Sequence, residues 1–209
     1  MDPSDALLEL VCFWYGITSL KPLYLNEGNI KIDNNLLREK WKNLWFSKEK
    51  QQTVIDKQLE KYENLIERCK EFKPRNVIEK LGMIILYDQI PRNIYRKTPK
   101  AYLYDEIARN YALQLLETNK EKNKEYPVQL ITILVSLIHS ENLLHQTMVQ
   151  EEIKFLRTTF LDQFILDSLQ GIADNHFDRI KLFSRIPERN KYLGRKSTEE
   201  ELIYIKNLY

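Results

Sequence analysis

The sequence predicts an all-α protein, a single domain spanning residues 1–209 with about seven to nine helices. Three observations predict this class. Apolar residues recur at steps of three and four along most of the chain, the spacing of one helix face. Five glycines and seven prolines in 209 residues are too few turn formers for a many-stranded sandwich. Start and stop signals punctuate the apolar pattern, such as Thr98-Pro99 at a start and Gly16 at an end.

The elements follow in order. Ala6 to Trp14 reads as a short helix stopped by Gly16, and Ile17 to Asp33 lacks a period and reads as a loop. Leu36 to Phe46 carries Leu37, Trp41, Leu44 and Trp45 at helical spacing, with the tryptophans directed to the core. Ser47 is placed as an N-cap, and Ile55, Leu59, Tyr62, Ile66 and Cys69 form the next face, which Pro74 ends. Val77, Leu81, Ile84 and Ile85 mark a helix that is expected to end or kink at Ile90, because the residue before a proline disfavours the α conformation.

Thr98-Pro99 then opens a helix with Tyr104, Ala108, Tyr111 and Leu115 as its stripe, and the charged run Glu117 to Glu125 reads as a linker. Pro127 starts the most apolar segment, Val128 to Ile138, whose length and neighbours favour a central helix over a buried strand. Asn142 to Arg157 reads as another helix. Ile165, Leu169, Ile172, His176, Ile180 and Phe183 keep one face of a long one. Ser197 with Glu200 and Thr198 with Glu201 offer overlapping capping boxes before the last helix, Leu202 to Leu208.

The composition excludes several function classes. A net charge of +2 gives no global drive toward nucleic acid or an anionic membrane. Basic residues interleave with aromatics at Tyr95-Arg96-Lys97 and Lys191-Tyr192, but the near-neutral net charge makes nucleic-acid binding a minority reading. The apolar run around Leu130 to Ile138 is too short to span a bilayer. Cys12 and Cys69 lack CxxC spacing and read as reduced thiols, and the acidic start has no basic leader region, so a cytoplasmic location is expected. There is no Gly-rich phosphate loop, G-x-S-x-G elbow or H-E-x-x-H pair, and no cofactor or metal is expected.

What chemistry there is gathers in three polar groups. The first is Asp88, Gln89, Arg92, Asn93 and Arg96, where Asp88 stands four residues before Arg92 but Pro91 intervenes. It reads either as a corner held by ion pairs or as an anion site of guanidinium forks. The second is His139-Ser140-Glu141 with His145 and Gln146, at the end of the apolar helix and too irregular for a helical metal motif. The third is His176 with Arg185, Arg189, Asn190 and Arg195. His176 lies on an apolar stripe, where a hydrogen-bonded core histidine is the ordinary expectation. Buried charges are costly unless paired, and a bound ligand is one way to pair several arginines.

The stretch Arg92-Asn93-Ile94-Tyr95-Arg96-Lys97-Thr98 also has an echo in Arg189 to Thr198. Each follows an Ile-Pro pair, Ile90-Pro91 or Ile186-Pro187. Either the corners share turn chemistry by chance, or they are related halves with their arginines on the same side of the molecule.

The motifs Phe13-Trp14-Tyr15-Gly16, Trp45-Phe46, Asp88-Gln89-Ile90-Pro91-Arg92-Asn93-x-Tyr95-Arg96, His139-Ser140-Glu141 with Gln146, His176, and Phe183-Ser184-Arg185-Ile186-Pro187-Glu188-Arg189-Asn190 with Leu193-Gly194-Arg195, Ser197-Thr198 and Glu200 resemble the domain of unknown function 924 family. They span nearly the whole chain in the right order. The resemblance implies a fold similar to tetratricopeptide-like arrays and implies no particular activity. The chain departs from the family's Phe-Gly-Arg-Phe-Pro-His-Arg-Asn pattern, with Ser184 in place of Gly, Ile186 of Phe and Glu188 of His.

Two functions fit these residues. One is a helical module that binds a ligand or a protein partner. The other is an enzyme acting on a small anion bearing phosphate or carboxylate. In that reading Arg92, Arg96, Arg185, Arg189 and Arg195 bind the anion, and His139, Glu141, Asp88 or His176 supplies acid–base chemistry. Gln89, Asn93 and Asn190 are further candidate ligand contacts. Convergence of these distant residues on one concave pocket separates the two readings.

Overall fold

The computed structural model describes residues 1–18, 30–47, 49–118, 123, 125–160 and 162–208. Every regular element among them is helical. Helix α1, Pro3–Tyr15, ends at Gly16, whose φ of 69° places it in the left-handed region that glycine enters without a Cβ clash. The loop expected after it falls mostly outside the described residues. Helix α2, Asn34–Lys40, is capped by the Asp33 carboxylate and runs into a π turn at Trp41–Trp45. The tryptophans do face the core: the Trp14 and Trp45 rings stack 5.9 Å apart, and Trp45 donates to the Trp14 carbonyl.

The face expected from Ile55 to Cys69 is buried throughout. It is built from α3, Glu49–Leu59, a 3₁₀ turn at Glu60–Tyr62, and α4, Glu63–Arg68. The helix therefore ends at Arg68, earlier than Pro74. Helix α5, Val77–Ile84, is capped by Asn76.

The expected break at Ile90-Pro91 does not occur. A π turn at Ile85–Gln89 leads straight into α6, Ile90–Ile94, and Ile90 keeps helical angles of −60° and −49°. In a regular helix the Pro91 ring would meet the carbonyl of Tyr87. In the wider turn the Ile90 N–H instead reaches back to the Ile85 carbonyl, which opens the helix where the ring must fit.

Beyond it, Thr98 bonds back to the Tyr95 carbonyl at 2.8 Å instead of capping. The helix expected from Pro99 is accordingly split into a 3₁₀ turn at Pro99–Tyr102 and α7, Asp105–Thr118. The linker expected over Glu117 to Glu125 falls largely outside the described residues. Helix α8, Pro127–Ile138, has proline in its first turn, and every residue from Val128 to Ile138 is buried. The central-helix reading therefore holds. Full burial of each of its leucines and isoleucines is worth about 1.5–3 kcal/mol.

Helices α9, Leu143–Thr159, and α10, Gln163–Phe183, follow, capped by Asn142 and Asp162. The chain closes with a 3₁₀ turn at Pro187–Arg189, α11, Asn190–Leu193, and α12, Glu199–Lys206. Of the overlapping capping boxes, Thr198 with Glu201 is the one formed, and the Ser197 hydroxyl accepts from Asn190 at 3.0 Å instead.

Packing proceeds pairwise: α1 on α5, α5 on α7, α7 on α8, α8 on α9 and α9 on α10. One hydrophobic core runs through all of them, from Ala6 to Ala173. The α1–α5 contact is close because Gly82 lacks a side chain, and a Cβ there would sit 3.0 Å from the Leu7 Cβ. This arrangement brings the C-terminal end of α8, the π turn and the chain's last corner to one end of the core.

Candidate functional site

The site is built on the π turn. Asp88 sits in that turn, 1% exposed, and the widened backbone lets its carboxylate meet two basic partners. His139, which caps the end of α8, places Nδ1 2.8 Å from Asp88 Oδ1. The Arg92 guanidinium lies 3.0 Å from the same oxygen, so the Asp-to-Arg pair spans Pro91 after all. The Gln89 amide donates to the other oxygen.

Arg92 also forks onto both oxygens of Asp105 at 2.7 and 2.8 Å and donates to the Asp88 carbonyl at 2.7 Å. Arg189 approaches from the last corner. It donates to the His139 carbonyl at 2.9 Å and comes within 3.7 Å of Asp105. Tyr102 lies beneath both, with the guanidinium carbons 5.7 and 5.0 Å from its ring centre. His176 of α10 completes the wall, its ring 5.9 Å from that of His139 and its Nδ1 2.9 Å from the Ile172 carbonyl.

Of these groups Arg92, Tyr102, His139, His176 and Arg189 line one cleft of about 330 Å³, together with Arg96, Lys97, Glu188 and Tyr192, and Asp88 lies behind His139. Burial by itself would raise the Asp88 pKa, but Arg92 and His139 reverse the effect and hold the carboxyl at about 2. It is therefore an anion at neutral pH and can only accept. Burial, then Arg92, holds His139 below the ordinary histidine value against the pull of Asp88. Burial, with the neighbouring His139, brings His176 down to about 3. Both rings are neutral at pH 7. Each gives its Nδ1–H to a group that cannot donate, so each keeps a lone pair on Nε2.

Of the residues singled out from the sequence, the fold thus gathers Asp88, Arg92, Arg96, His139, His176 and Arg189. The others are engaged elsewhere. Arg195 forks onto Glu141 and donates to the Ile186 carbonyl, and Glu141 also accepts the Ile186 N–H at 2.9 Å. Arg185 forks onto the buried Glu201, which also takes Asn190. Asn93 bridges Gln52 and Arg96, and Arg96 forks onto Asp56. Gln146 ties off the end of α8, with its amide on the Ile138 and Ser140 carbonyls. Among the described residues, no three His, Cys, Asp or Glu side chains are placed to share a metal ion.

Sequence reasoning missed Tyr102, Asp105 and Tyr192. Asp105 reads as an ordinary acid in the first turn of α7, and only the fold sets it opposite Arg92. The Thr98-Pro99 start was the available signal, because a break between Tyr102 and Asp105 turns that helix end toward the corner.

The two echoed corners do bring Arg92 and Arg189 to one place, since both meet Tyr102 and Asp105. Their backbones differ. The first corner is helical through its proline, whereas the second has left-handed Ser184, extended Ile186 and a 3₁₀ turn.

The geometry defines an all-helical protein with a buried acid–histidine pair and an arginine cleft at one end of its core. The chain belongs to the family described as "Bacterial protein of unknown function (DUF924)", whose model matches residues 11–208. Its fold is similar to the solved structure of the protein of unknown function ATU0120 from Agrobacterium tumefaciens. The TM-score is 0.64 at 20% identity, over 81% of this chain and 92% of that one. No curated protein matches. No helix among the described residues is long and apolar enough to cross a membrane.

Proposed function

We propose that the protein binds a small anionic ligand, bearing phosphate or carboxylate, in the cleft between the two corners. Arg189 carries this reading. It is 8% exposed and lines the cleft, yet among the described residues its guanidinium has one acceptor within hydrogen-bond distance, the His139 carbonyl. Arg195, six residues on, is chelated by a carboxylate. A buried guanidinium whose nearest carboxylate, Asp105 at 3.7 Å, lies beyond hydrogen-bond distance is a favourable seat for an anion. Asp105 is shared: it takes the Arg92 fork at 2.7 and 2.8 Å and stays 3.7 Å from Arg189.

A second reading places acid–base chemistry on the bound ligand. Its support is the Asp88–His139 pair: a buried carboxylate fixes the tautomer of a neutral imidazole whose Nε2 is left for the cleft. His139 is the base in this reading and Asp88 its orienting partner. Glu141, held by Arg195 and the Ile186 N–H, has no part in it.

The test is a metabolite-binding screen by thermal shift and calorimetry on the wild type, Arg92→Ala and Arg189→Lys. Anionic compounds are expected to bind the wild type and to lose at least tenfold in affinity in Arg189→Lys, which keeps the charge and loses the fork. Equal binding by wild type and Arg189→Lys would remove the cleft as the site. Turnover of a hit that stops in His139→Gln, with binding retained, would add the catalytic role.

A further inference from the structure

The cleft holds hydrogen-bond acceptors as well as cations. His139 Nε2 and His176 Nε2 are lone-pair acceptors, because each Nδ1–H is committed to Asp88 or to the Ile172 carbonyl. No described residue donates to either. The third acceptor is Glu188, whose Oε1 takes the Arg179 guanidinium at 2.8 Å. Its Oε2 is buried and has no partner among the described residues. An unpaired buried carboxylate oxygen is costly. All three side chains line the same cleft as Arg189.

We infer that the ligand is a polyhydroxylated anion, with its acidic group on Arg189 and its hydroxyls donating to His139, His176 and Glu188. This rests on the anion-binding reading above and narrows it. A simple anion would take the guanidinium and leave all three acceptors without donors. A metal ion would satisfy the acceptors but would sit among Arg92, Arg179 and Arg189, whose charges oppose it. A hydroxylated anion satisfies both sets at once. A site built to accept from a hydroxyl discriminates strongly against the analogue that lacks it, because the site's own polar atoms are then left unpaired.

The experiment is calorimetric titration of the full chain with matched pairs: glycerol 3-phosphate against propyl phosphate, and gluconate against hexanoate. The hydroxylated member of at least one pair is expected to bind at least tenfold tighter. Glu188→Gln should remove most of that preference without weakening the plain anion. Arg179 holds the amide oxygen of the new side chain, so its NH₂ replaces the Oε2 acceptor with a donor. His176→Leu provides a second variant with the same expected loss of preference, and circular dichroism confirms that both fold. Arg189→Lys should weaken both members of a pair together.

Equal affinities within each pair would overturn the hydroxyl inference and leave the anion reading standing. Absence of binding by all four compounds would overturn both. A preference that survives in both Glu188→Gln and His176→Leu would place the hydroxyls elsewhere and overturn the assignment. Zinc chloride, titrated alone, is expected not to bind, and zinc binding lost in His176→Leu would overturn the inference in favour of a metal site.

Discussion

The two corners of the chain reach the same place by different backbones. Residues 85–98 make the first corner by staying helical through Ile94, by way of a π turn that admits Pro91. Residues 184–198 make the second with a left-handed serine, an extended isoleucine and a 3₁₀ turn. Both deliver an arginine to Tyr102 and Asp105. What they share is therefore not a local conformation but a tertiary target, and each corner is fastened by its own acids. Asp88 and Asp105 fasten the first, and Glu141 and Glu201 the second.

The sharpest break falls on the first corner. Asp88→Ala removes an almost fully buried counter-charge shared by His139 and Arg92. Losing one member of such a buried pair costs about 3–5 kcal/mol. Chemical denaturation should report that loss, and a change under 1 kcal/mol would mean that Asp105 alone fastens Arg92. The corresponding change in the second corner is Glu141→Ala, which frees Arg195 and the Ile186 N–H. Glu141 is partly solvated, so a smaller cost of about 2 kcal/mol is expected. If the two costs were reversed, the second corner would be the keystone.

Acid should separate the corners further. His176 has a folded pKa of about 3 against an ordinary 6.5, so the unfolded chain binds the proton more tightly. The stability linked to it is complete above pH 6.5 and is lost as the pH falls toward 3. Asp88, held near 2 against an ordinary 3.8, loses its contribution below that window, as the pH falls through about 2. Urea midpoints should therefore decline from pH 7 to pH 4, and His176→Gln should flatten that decline. An unchanged slope in the variant would show that another group carries it.

The sequence made the helices legible wherever an apolar face repeats, as from Ile165 to Ile180, and where a cap is chemically explicit, as at Thr198 and Glu201. It also singled out Asp88, Arg92, His139, His176 and Arg189 by their density beside apolar runs. It could not separate Arg189 from Arg195. Both follow the same proline, and which one meets a carboxylate depends on where Glu141 lies in the folded chain. The path through Pro91 was equally hidden, because the rule for a residue before proline describes a regular helix and the π turn is a departure from one.

The mildest change tests the local side of the comparison. Ser184 ends α10 at φ 56°, a left-handed conformation that costs a residue bearing a Cβ about 1 kcal/mol. Ser184→Gly should remove that strain and raise stability by about 0.5 kcal/mol at most, after allowance for glycine's greater freedom in the unfolded chain. The first corner has its own left-handed residue, Lys97 at φ 63°, on the rim of the cleft. Lys97→Gly should relieve similar strain but remove a cation from the proposed site. If the corners divide as argued, Ser184→Gly changes the melting temperature alone, whereas Lys97→Gly raises it and weakens anion binding. Differential scanning calorimetry with and without inorganic phosphate reads both effects in one series, and a binding loss in Ser184→Gly would show that the second corner's backbone shapes the cleft directly.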